Sequence, residues 1–135
     1  TPIFVDAITS MTIQDAFNIL NGEDTAATHY LREKTFIQLY DAFRPKIGTS
    51  LDKEIVAGVS ATDTWNTFIS AYNPIASSFA GQLAGLDEVN TELDAYVTTK
   101  GLNGLFIKVA DEEKDIRTDV TARVTDLLER VFGGG

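Results

Sequence analysis

The sequence contains no cysteine, and among its 135 residues there are only one histidine, one methionine and one tryptophan. Without cysteine the chain forms no disulfide and no thiolate metal site, and it has no cysteine nucleophile. The single histidine, His29, excludes histidine-rich metal sites and leaves one imidazole for acid–base catalysis. Because His29 lies at the start of an amphipathic segment, we interpret it as a surface or packing residue.

Long apolar runs and basic residues are also scarce. No apolar stretch reaches 18 residues, and no basic segment leads into an apolar one at the start, so neither a membrane span nor a signal peptide is predicted in this chain. Eleven Lys and Arg against twenty Asp and Glu give a net charge of −9, which repels nucleic acids and anionic lipids. The nearest basic cluster is interrupted by acidic residues and is interpreted as a solvated face: Arg32, Lys34, Arg44 and Lys46.

Signatures of catalysis are missing as well. The sequence has no nucleophile elbow, no phosphate-binding glycine loop and no dinucleotide fingerprint. An acidic run suggests oxygen ligands for a hard cation; it comprises Asp111, Glu112, Glu113 and Asp115. Neighbouring helical positions point in different directions, and basic residues are interspersed, so a solvated face is the preferred interpretation. We therefore predict no catalytic residue, no metal and no cofactor.

Apolar residues recur every three or four positions along most of the chain, which is typical of amphipathic helices. No segment alternates strictly between apolar and polar residues, as a half-buried strand would. The length suits one domain with its own core. The sequence thus predicts an all-α fold, a single-domain bundle of about six to eight helices over residues 1–132, followed by a flexible glycine tail at 133–135.

Caps and helix breakers define the predicted helices of the first half. Thr12 can cap a helix, with Asp15 three residues later completing a relative of the capping box. Pro45 lacks a backbone donor and clashes with the preceding turn, which predicts a stop or kink near Phe43. The predicted helices are 2–11, 13–20, one that starts at Asp24 or Thr25 and stops or kinks near Phe43, and a short one from residue 51 to about 58.

In the second half, Thr62 or Asp63 is predicted to cap a fifth helix that ends at Asn73, before Pro74. Residues 75–86 contain many small side chains and predict one or two loose helical turns inside a connection. The next helix is predicted to run from Asp87 to about residue 117.

This long helix is the candidate for the central and most buried element. Gly101 and Gly104 each cost about 1 kcal/mol inside a helix, which suggests close packing of another backbone or a local break. A last helix is predicted after a cap at Thr118 or Asp119. Its inward-facing residues are predicted to be Val120, Val124, Leu127, Leu128 and Val131.

Aromatic residues are plentiful enough to line an apolar cavity between helices, although core packing explains the same residues. They are Tyr30, Phe36, Tyr40, Phe43, Trp65, Phe68, Tyr72, Tyr96 and Phe106. A small polar set lies beside these stripes on the two longest predicted helices and marks a candidate ligand site: Tyr30, Arg32, Thr35, Tyr96 and Lys100. Glu113 extends the set, because an unrecognised enzyme site could combine it with Arg32, Tyr96 and Lys100.

Motifs spread over nearly the whole chain carry a resemblance. They are Pro2-Ile3-Phe4-Val5-Asp6-Ala7-Ile8, Met11-Thr12-Ile13-Gln14-Asp15-Ala16, Ile19-Leu20-Asn21-Gly22, Tyr96-Val97-Thr98 with Lys100, Gly104-Leu105-Phe106, Glu112-Glu113-Lys114, and Val131-Phe132-Gly133. Together they resemble the bacterial family called domain of unknown function 4197. The resemblance implies an exported protein of the periplasm or cell envelope without an assigned activity. It also implies that this chain is the C-terminal portion of a longer precursor.

Three functional hypotheses follow. The leading one is a non-catalytic exported protein that binds a partner protein or an apolar small molecule through a helical bundle. The second is an enzyme with a Tyr, Arg, Lys and Glu site, and the third is a structural or assembly role in the cell envelope. The sequence leaves the oligomeric state open.

Overall fold

The structure is a computed structural model that describes residues 2–89, 92–119 and 126–133. Within these ranges it contains seven helices and one small hairpin, so the all-α prediction is confirmed. The elements are α1 Pro2–Thr9, α2 Ile13–Leu20, α3 Ala26–Leu51, β1 Glu54–Val56, β2 Val59–Ser60, α4 Ala61–Ala76, α5 Phe79–Leu83, α6 Leu93–Thr118 and α7 Asp126–Phe132.

The chain divides into two compact units. The terminal unit comprises Thr1–Leu39 and Gly101–Gly135, and the middle unit comprises Tyr40–Lys100. Helices α3 and α6 each contribute residues to both units. The single-domain assignment stays a prediction, and the last two residues of the proposed glycine tail lie outside the described ranges.

Two helices begin with the same four-residue cap. The Thr12 hydroxyl accepts a hydrogen bond from the Asp15 backbone, and the Asp15 carboxylate accepts one from the Thr12 backbone. These hydrogen bonds hold the pKa of Asp15 below its ordinary value. The predicted cap of α2 is therefore confirmed. Ser60 and Asp63 cap α4 in the same way, so the predicted cap at Thr62 or Asp63 was wrong by two or three residues.

Pro45 and Pro74 both lie inside helices, although each was predicted to interrupt one. Helix α3 continues through Pro45 to Leu51, and α4 continues through Pro74 to Ala76. The predicted end of the fifth helix at Asn73 was therefore wrong, as was a stop near Phe43. In the turn after Pro45, Thr49 Oγ1 donates to the Pro45 carbonyl at 2.9 Å and Ser50 Oγ donates to that of Lys46, as serine and threonine hydroxyls often do inside helices.

The predicted short helix at 51–58 is a β-hairpin. Strands β1 and β2 pair antiparallel, with Val56 opposite Val59. The two residues between them, Ala57 and Gly58, have φ angles of 51° and 77°. Positive φ at both positions is typical of the two-residue hairpin turn of type I′. The β-branched residues on either side suit strands better than a helix.

Helix α6 begins at Leu93, whereas the sequence predicts a start at Asp87. The backbone of Val89 is instead engaged by the Asn73 side chain, which donates to the Val89 carbonyl and accepts from its N–H, both at 2.9 Å. These two bonds hold the connection after α5 against α4.

Helix α6 is continuous through Gly101 and Gly104, and no other described part of the chain comes within 4 Å of the position of an added Cβ at either. The predicted explanations for these glycines were therefore wrong. In the last helix, Leu127 and Val131 are 68% and 45% exposed, so they are not buried as the prediction of inward-facing residues requires, whereas Leu128 is half-buried. The predicted inward positions Val120 and Val124 lie outside the described residues.

The core of the terminal unit is built around Phe106 on α6, which is 2% exposed. Its ring lies 6.4 Å from that of Phe4 on α1 and 6.3 Å from that of Phe36 on α3. Ala7, Leu39 and Leu102 are also buried in this unit. Aromatic and aliphatic contacts thus connect α1, α3 and α6.

Candidate functional site

An apolar groove in the terminal unit is the candidate functional site. Its volume is about 360 Å³. Helices α1, α2, α3 and α7 and the turn after α1 provide its lining residues, which are Ile8, Met11, Ala16, Ile19, Leu20, Ala27, Tyr30, Leu31 and Val131. Tyr30 alone in this set has a polar side chain, and its hydroxyl donates to the Ala7 carbonyl at 3.3 Å. The groove therefore offers an incoming ligand an apolar wall.

Exposed apolar side chains continue the groove onto the surface. In a helix, residues three or four apart lie on the same side. This spacing relates Val5 to Ile8 on α1 and Leu127 to Val131 on α7. On α2 it relates Ile13 to Phe17, and Phe17 to Leu20. We call Val5, Ile13, Phe17 and Leu127 the groove rim; they are 55%, 79%, 56% and 68% exposed.

Helix α2 explains why the groove exists. Its Ala16 and Ile19 are half-buried, whereas Ile13, Phe17 and Leu20 are exposed on the neighbouring side. Such an apolar face is wider than the contact that α2 makes with the rest of the unit. The spacing of Ile13, Ala16, Phe17 and Leu20 predicts one buried stripe on this helix, and that prediction was wrong for Ile13, Phe17 and Leu20, which are exposed. The width of the apolar face was the signal in the sequence that could have indicated the groove.

A buried ion pair lies beside the groove and positions its helices. The carboxylate of Glu113 on α6 accepts hydrogen bonds from the backbone N–H of Ala27 at 2.8 Å and of Thr28 at 2.7 Å, both in the first turn of α3. The Thr28 hydroxyl donates to the same carboxylate at 2.7 Å. Glu113 thereby supplies acceptors for N–H groups that a helix start leaves unpaired.

Arg117 completes this cluster one turn later on α6. Its guanidinium lies 2.9 Å from Glu113 Oε1, and both side chains are about 10% exposed or less. The guanidinium also donates to the Ile19 carbonyl near the end of α2 at 2.7 Å and lies 5.4 Å from the ring centre of Phe132 on α7. Glu113 and Arg117 together therefore contact α2, α3 and α7.

The Glu113 pKa reflects two opposing effects. Burial raises the pKa, but hydrogen bonds from Thr28, from the Ala27 backbone and from Arg117 together hold it below the ordinary value. Both carboxylate oxygens are occupied by donors. This environment favours a permanently ionised, structural carboxylate over one that exchanges a proton during catalysis.

The other predicted site residues of the terminal unit also have defined partners. Arg32 Nη2 donates to Asn103 Oδ1 at 2.7 Å, and its guanidinium lies 5.0 Å from the ring centre of Phe36. Thr35 is fully buried, and its hydroxyl donates to the Leu31 carbonyl at 2.6 Å. Of the predicted set, Tyr30 alone lines the groove.

Tyr96 and Lys100 belong to the middle unit. The Tyr96 ring stacks on Trp65 at 5.9 Å, and Lys100 Nζ lies 5.6 Å from the Tyr96 ring centre. Trp65 is followed along α4 by Phe68 and Tyr72, with 5.9 and 5.5 Å between successive ring centres. These four aromatic rings form a row on this unit. A ligand site that combines all six predicted residues stays a prediction.

Two further observations bear on the chemistry. In the described part of the chain, no group of three or more His, Asp or Glu side chains is placed to hold a metal ion. None of the helices described is both long and apolar enough to cross a membrane.

Comparison with known proteins gives one match. Neither a curated protein nor a solved structure matches the chain. A family model matches residues 1–133, and its description is "Protein of unknown function (DUF4197)". Since the match covers nearly the whole sequence, the chain belongs to the DUF4197 family, as its motifs predicted.

Proposed function

We propose that this protein is a non-catalytic binding protein that holds an apolar helix of a partner protein in the groove. The observation that carries the proposal is the continuity between the apolar groove lining and the exposed rim. Soluble proteins rarely expose large contiguous apolar surfaces, and those they do expose mark sites of interaction.

A helix suits this groove better than an apolar small molecule does. Small-molecule sites enclose most of the ligand and use a few polar groups to fix its orientation. Here the rim extends the apolar surface beyond the groove, and the hydroxyl of Tyr30 is already engaged by Ala7. An amphipathic helix places side chains at three- and four-residue spacing into such a surface without needing polar anchors.

The contacts of the polar residues support a binding protein over an enzyme. An acid–base residue needs a free proton acceptor or donor facing the substrate. Both carboxylate oxygens of Glu113 accept hydrogen bonds, from the start of α3 and from Arg117, and Arg32 donates a hydrogen bond to Asn103. These side chains therefore stabilise contacts between helices and do not present a free acid or base to a substrate.

Binding of a model peptide tests the proposal. The probe is a fluorescein-labelled amphipathic peptide with leucine on one face and glutamine on the other, which carries no charge on its polar face. We expect a rise in fluorescence anisotropy that saturates with the wild-type protein. Leu20→Asp and Val131→Asp place a charge in the groove and are expected to weaken binding at least about tenfold.

Phe79→Asp provides the matched control. Phe79 is 79% exposed and belongs to the middle unit, so this variant adds the same charge at an exposed apolar residue outside the groove. Its affinity for the peptide is expected to equal that of the wild type, and circular dichroism checks that all variants are folded. Absence of peptide binding, or equal losses in the groove and control variants, overturns the proposal. A wild-type dimer that Leu20→Asp converts to a monomer overturns it in favour of self-association.

We further propose that the protein acts in the bacterial periplasm or cell envelope. The support is the resemblance carried by its motifs, which implies export. Immunoblotting of cytosolic, periplasmic and membrane fractions of the native host tests this location. Recovery of the protein in the cytosolic fraction alone contradicts it.

A further inference from the structure

We infer that the helix bound in the groove is basic along its polar face. This inference rests on the proposed function and adds the chemistry of the partner. It comes from the charges on the segments that form the groove, which are almost all of one sign.

The segments that form the groove contain more acidic than basic residues. Residues 1–31 supply most of the groove lining and contain no Lys or Arg. The same stretch contains four acidic residues, Asp6, Asp15, Glu23 and Asp24. Helix α7 adds Asp126 and Glu129 against a single cation, Arg130. Residues 1–31 and α7 therefore carry six acidic residues and one basic residue, and the nearby Arg117 is paired with Glu113.

These carboxylates are available to a partner. Asp6, Glu23, Asp24 and Glu129 are exposed. Within the described ranges, none of these four forms a salt bridge, whereas the Asp15 carboxylate is engaged in the cap with Thr12. Glu23 and Asp24 lie in the connection between Leu20 on α2 and Ala27 on α3, both of which line the groove.

Apolar and charged contacts have different roles in this arrangement. The groove provides affinity for any helix with an apolar face, because burial of that face is not selective for charge. The exposed carboxylates of Glu23 and Asp24, in the connection between two of the lining helices, attract a helix with Lys or Arg along its flanks and repel one with Asp or Glu. Basic amphipathic helices are an established class of peptide ligand.

The same charges disfavour two other occupants. A second copy of this chain would bring an identical acidic surface to a symmetric interface, so like charges would face each other. An anionic lipid surface would be repelled in the same way. An amphipathic helix with basic residues on its polar face is the occupant that fits both the apolar groove and the acidic residues beside it.

Three peptides with the same leucine face and different polar faces test the inference. Lysine, glutamine and glutamate peptides are titrated in the same anisotropy assay. The lysine peptide is expected to bind tightest and the glutamate peptide weakest, with a ratio of at least about tenfold at low salt. The ratio is expected to shrink at about 1 M salt, because the Debye length is then about 3 Å and charges further apart are screened from each other.

Charge-neutral variants identify the carboxylates responsible. The double variant Glu23→Gln/Asp24→Asn is expected to reduce the ratio between the affinities of the lysine and glutamate peptides. Asp87→Asn/Glu88→Gln makes the same change of charge at exposed positions of the middle unit and is expected to leave the ratio intact.

The outcomes separate this inference from the proposed function. Equal affinity for the lysine and glutamate peptides, together with normal binding of the glutamine peptide, overturns the inference and leaves the groove function in place. Failure of all three peptides to bind overturns both. A scrambled lysine peptide that binds as tightly as the amphipathic one also overturns the inference, because the attraction would then be independent of the groove.

Discussion

Glu113 and Thr28 are joined by two hydrogen bonds across 85 residues of sequence: the Thr28 backbone N–H and its hydroxyl each lie 2.7 Å from the same oxygen of the Glu113 carboxylate. The second oxygen accepts from Ala27 and from Arg117. A carboxylate from α6 thus performs the task that an N-cap residue performs elsewhere, and it does so in a buried place. The start of α3, and with it one wall of the groove, depends on this contact.

The first prediction concerns stability. Glu113→Gln replaces one carboxylate oxygen by an NH₂ group that faces an N–H donor, and it removes the negative charge opposite Arg117. We expect the free energy of unfolding to fall by about 3 kcal/mol, because breaking one side of a buried ion pair leaves the other charge uncompensated. Urea unfolding followed by circular dichroism measures this loss. Glu112→Gln, at the exposed neighbouring position, is the control and is expected to stay within about 0.5 kcal/mol of the wild type.

The second prediction concerns pH. The Glu113 pKa is lower in the folded protein than its ordinary value, and Asp94 shows the same direction because Arg44 donates to its carboxylate. Such groups stabilise the fold at pH values above the ordinary pKa, and this contribution is lost as pH falls through the folded-state pKa. We therefore expect the unfolding free energy of the wild type to decrease from about pH 6 towards pH 3.

The comparison with Glu113→Gln isolates the Glu113 contribution to this decrease. Since glutamine does not titrate, the difference in unfolding free energy between wild type and variant is expected to shrink as the pH is lowered. Urea titrations at a series of pH values measure it. A difference that stays constant over the whole range contradicts the assignment of a lowered pKa to Glu113.

Local interactions were the part of the fold that the sequence could predict. The cap formed by Thr12 and Asp15 spans four residues, so its pattern is complete in the sequence. The same pattern at Ser60 and Asp63 was overlooked, although it was equally visible. Pro45 shows the limit of local rules: proline imposes a cost within a helix, but contacts elsewhere decide whether the helix continues.

The candidate site depended on distant contacts and was harder to predict. Glu113 lies in an acidic run whose spacing is typical of a solvated face, and nothing in that spacing identifies its partner at Thr28. The groove depends on which half of a wide apolar face is covered by other helices. Ile13 and Ile19 look alike in the sequence of α2, yet Ile13 is exposed and Ile19 is half-buried.

The third prediction contrasts two glycines of α6 with one of α5. At Gly101 and Gly104 a Cβ would meet no described atom within 4 Å outside the local helix backbone, whereas at Gly81 it would lie 2.2 Å from the Ile75 carbonyl oxygen. Gly101→Ala and Gly104→Ala are each expected to raise the unfolding free energy by about 1 kcal/mol, because alanine restricts the unfolded chain and favours the helix. Thermal and urea unfolding measure the gain.

Gly81→Ala serves as the opposing case. The added methyl group would collide with backbone atoms of α4, which cannot move aside as a flexible side chain can. A loss of about 1–3 kcal/mol is expected, as for other overpacked sites. If the unfolding free energies of Gly81→Ala and Gly101→Ala change by the same amount, this contradicts the close approach of α5 to the end of α4.

The fourth prediction concerns the hairpin turn. Ala57 has a φ of 51°, a left-handed conformation that costs an alanine about 1–2 kcal/mol, whereas Gly58 adopts a φ of 77° without a side-chain penalty. Asparagine followed by glycine is the preferred sequence for such a turn, so Ala57→Asn is expected to raise the unfolding free energy by about 0.5–1 kcal/mol. Urea unfolding measures this change. Ala84→Asn is the control, because Ala84 is exposed with a φ of −80° and gains nothing from tolerance of positive φ. Equal effects at the two positions contradict a strained turn, since relief of strain predicts a gain at Ala57 alone.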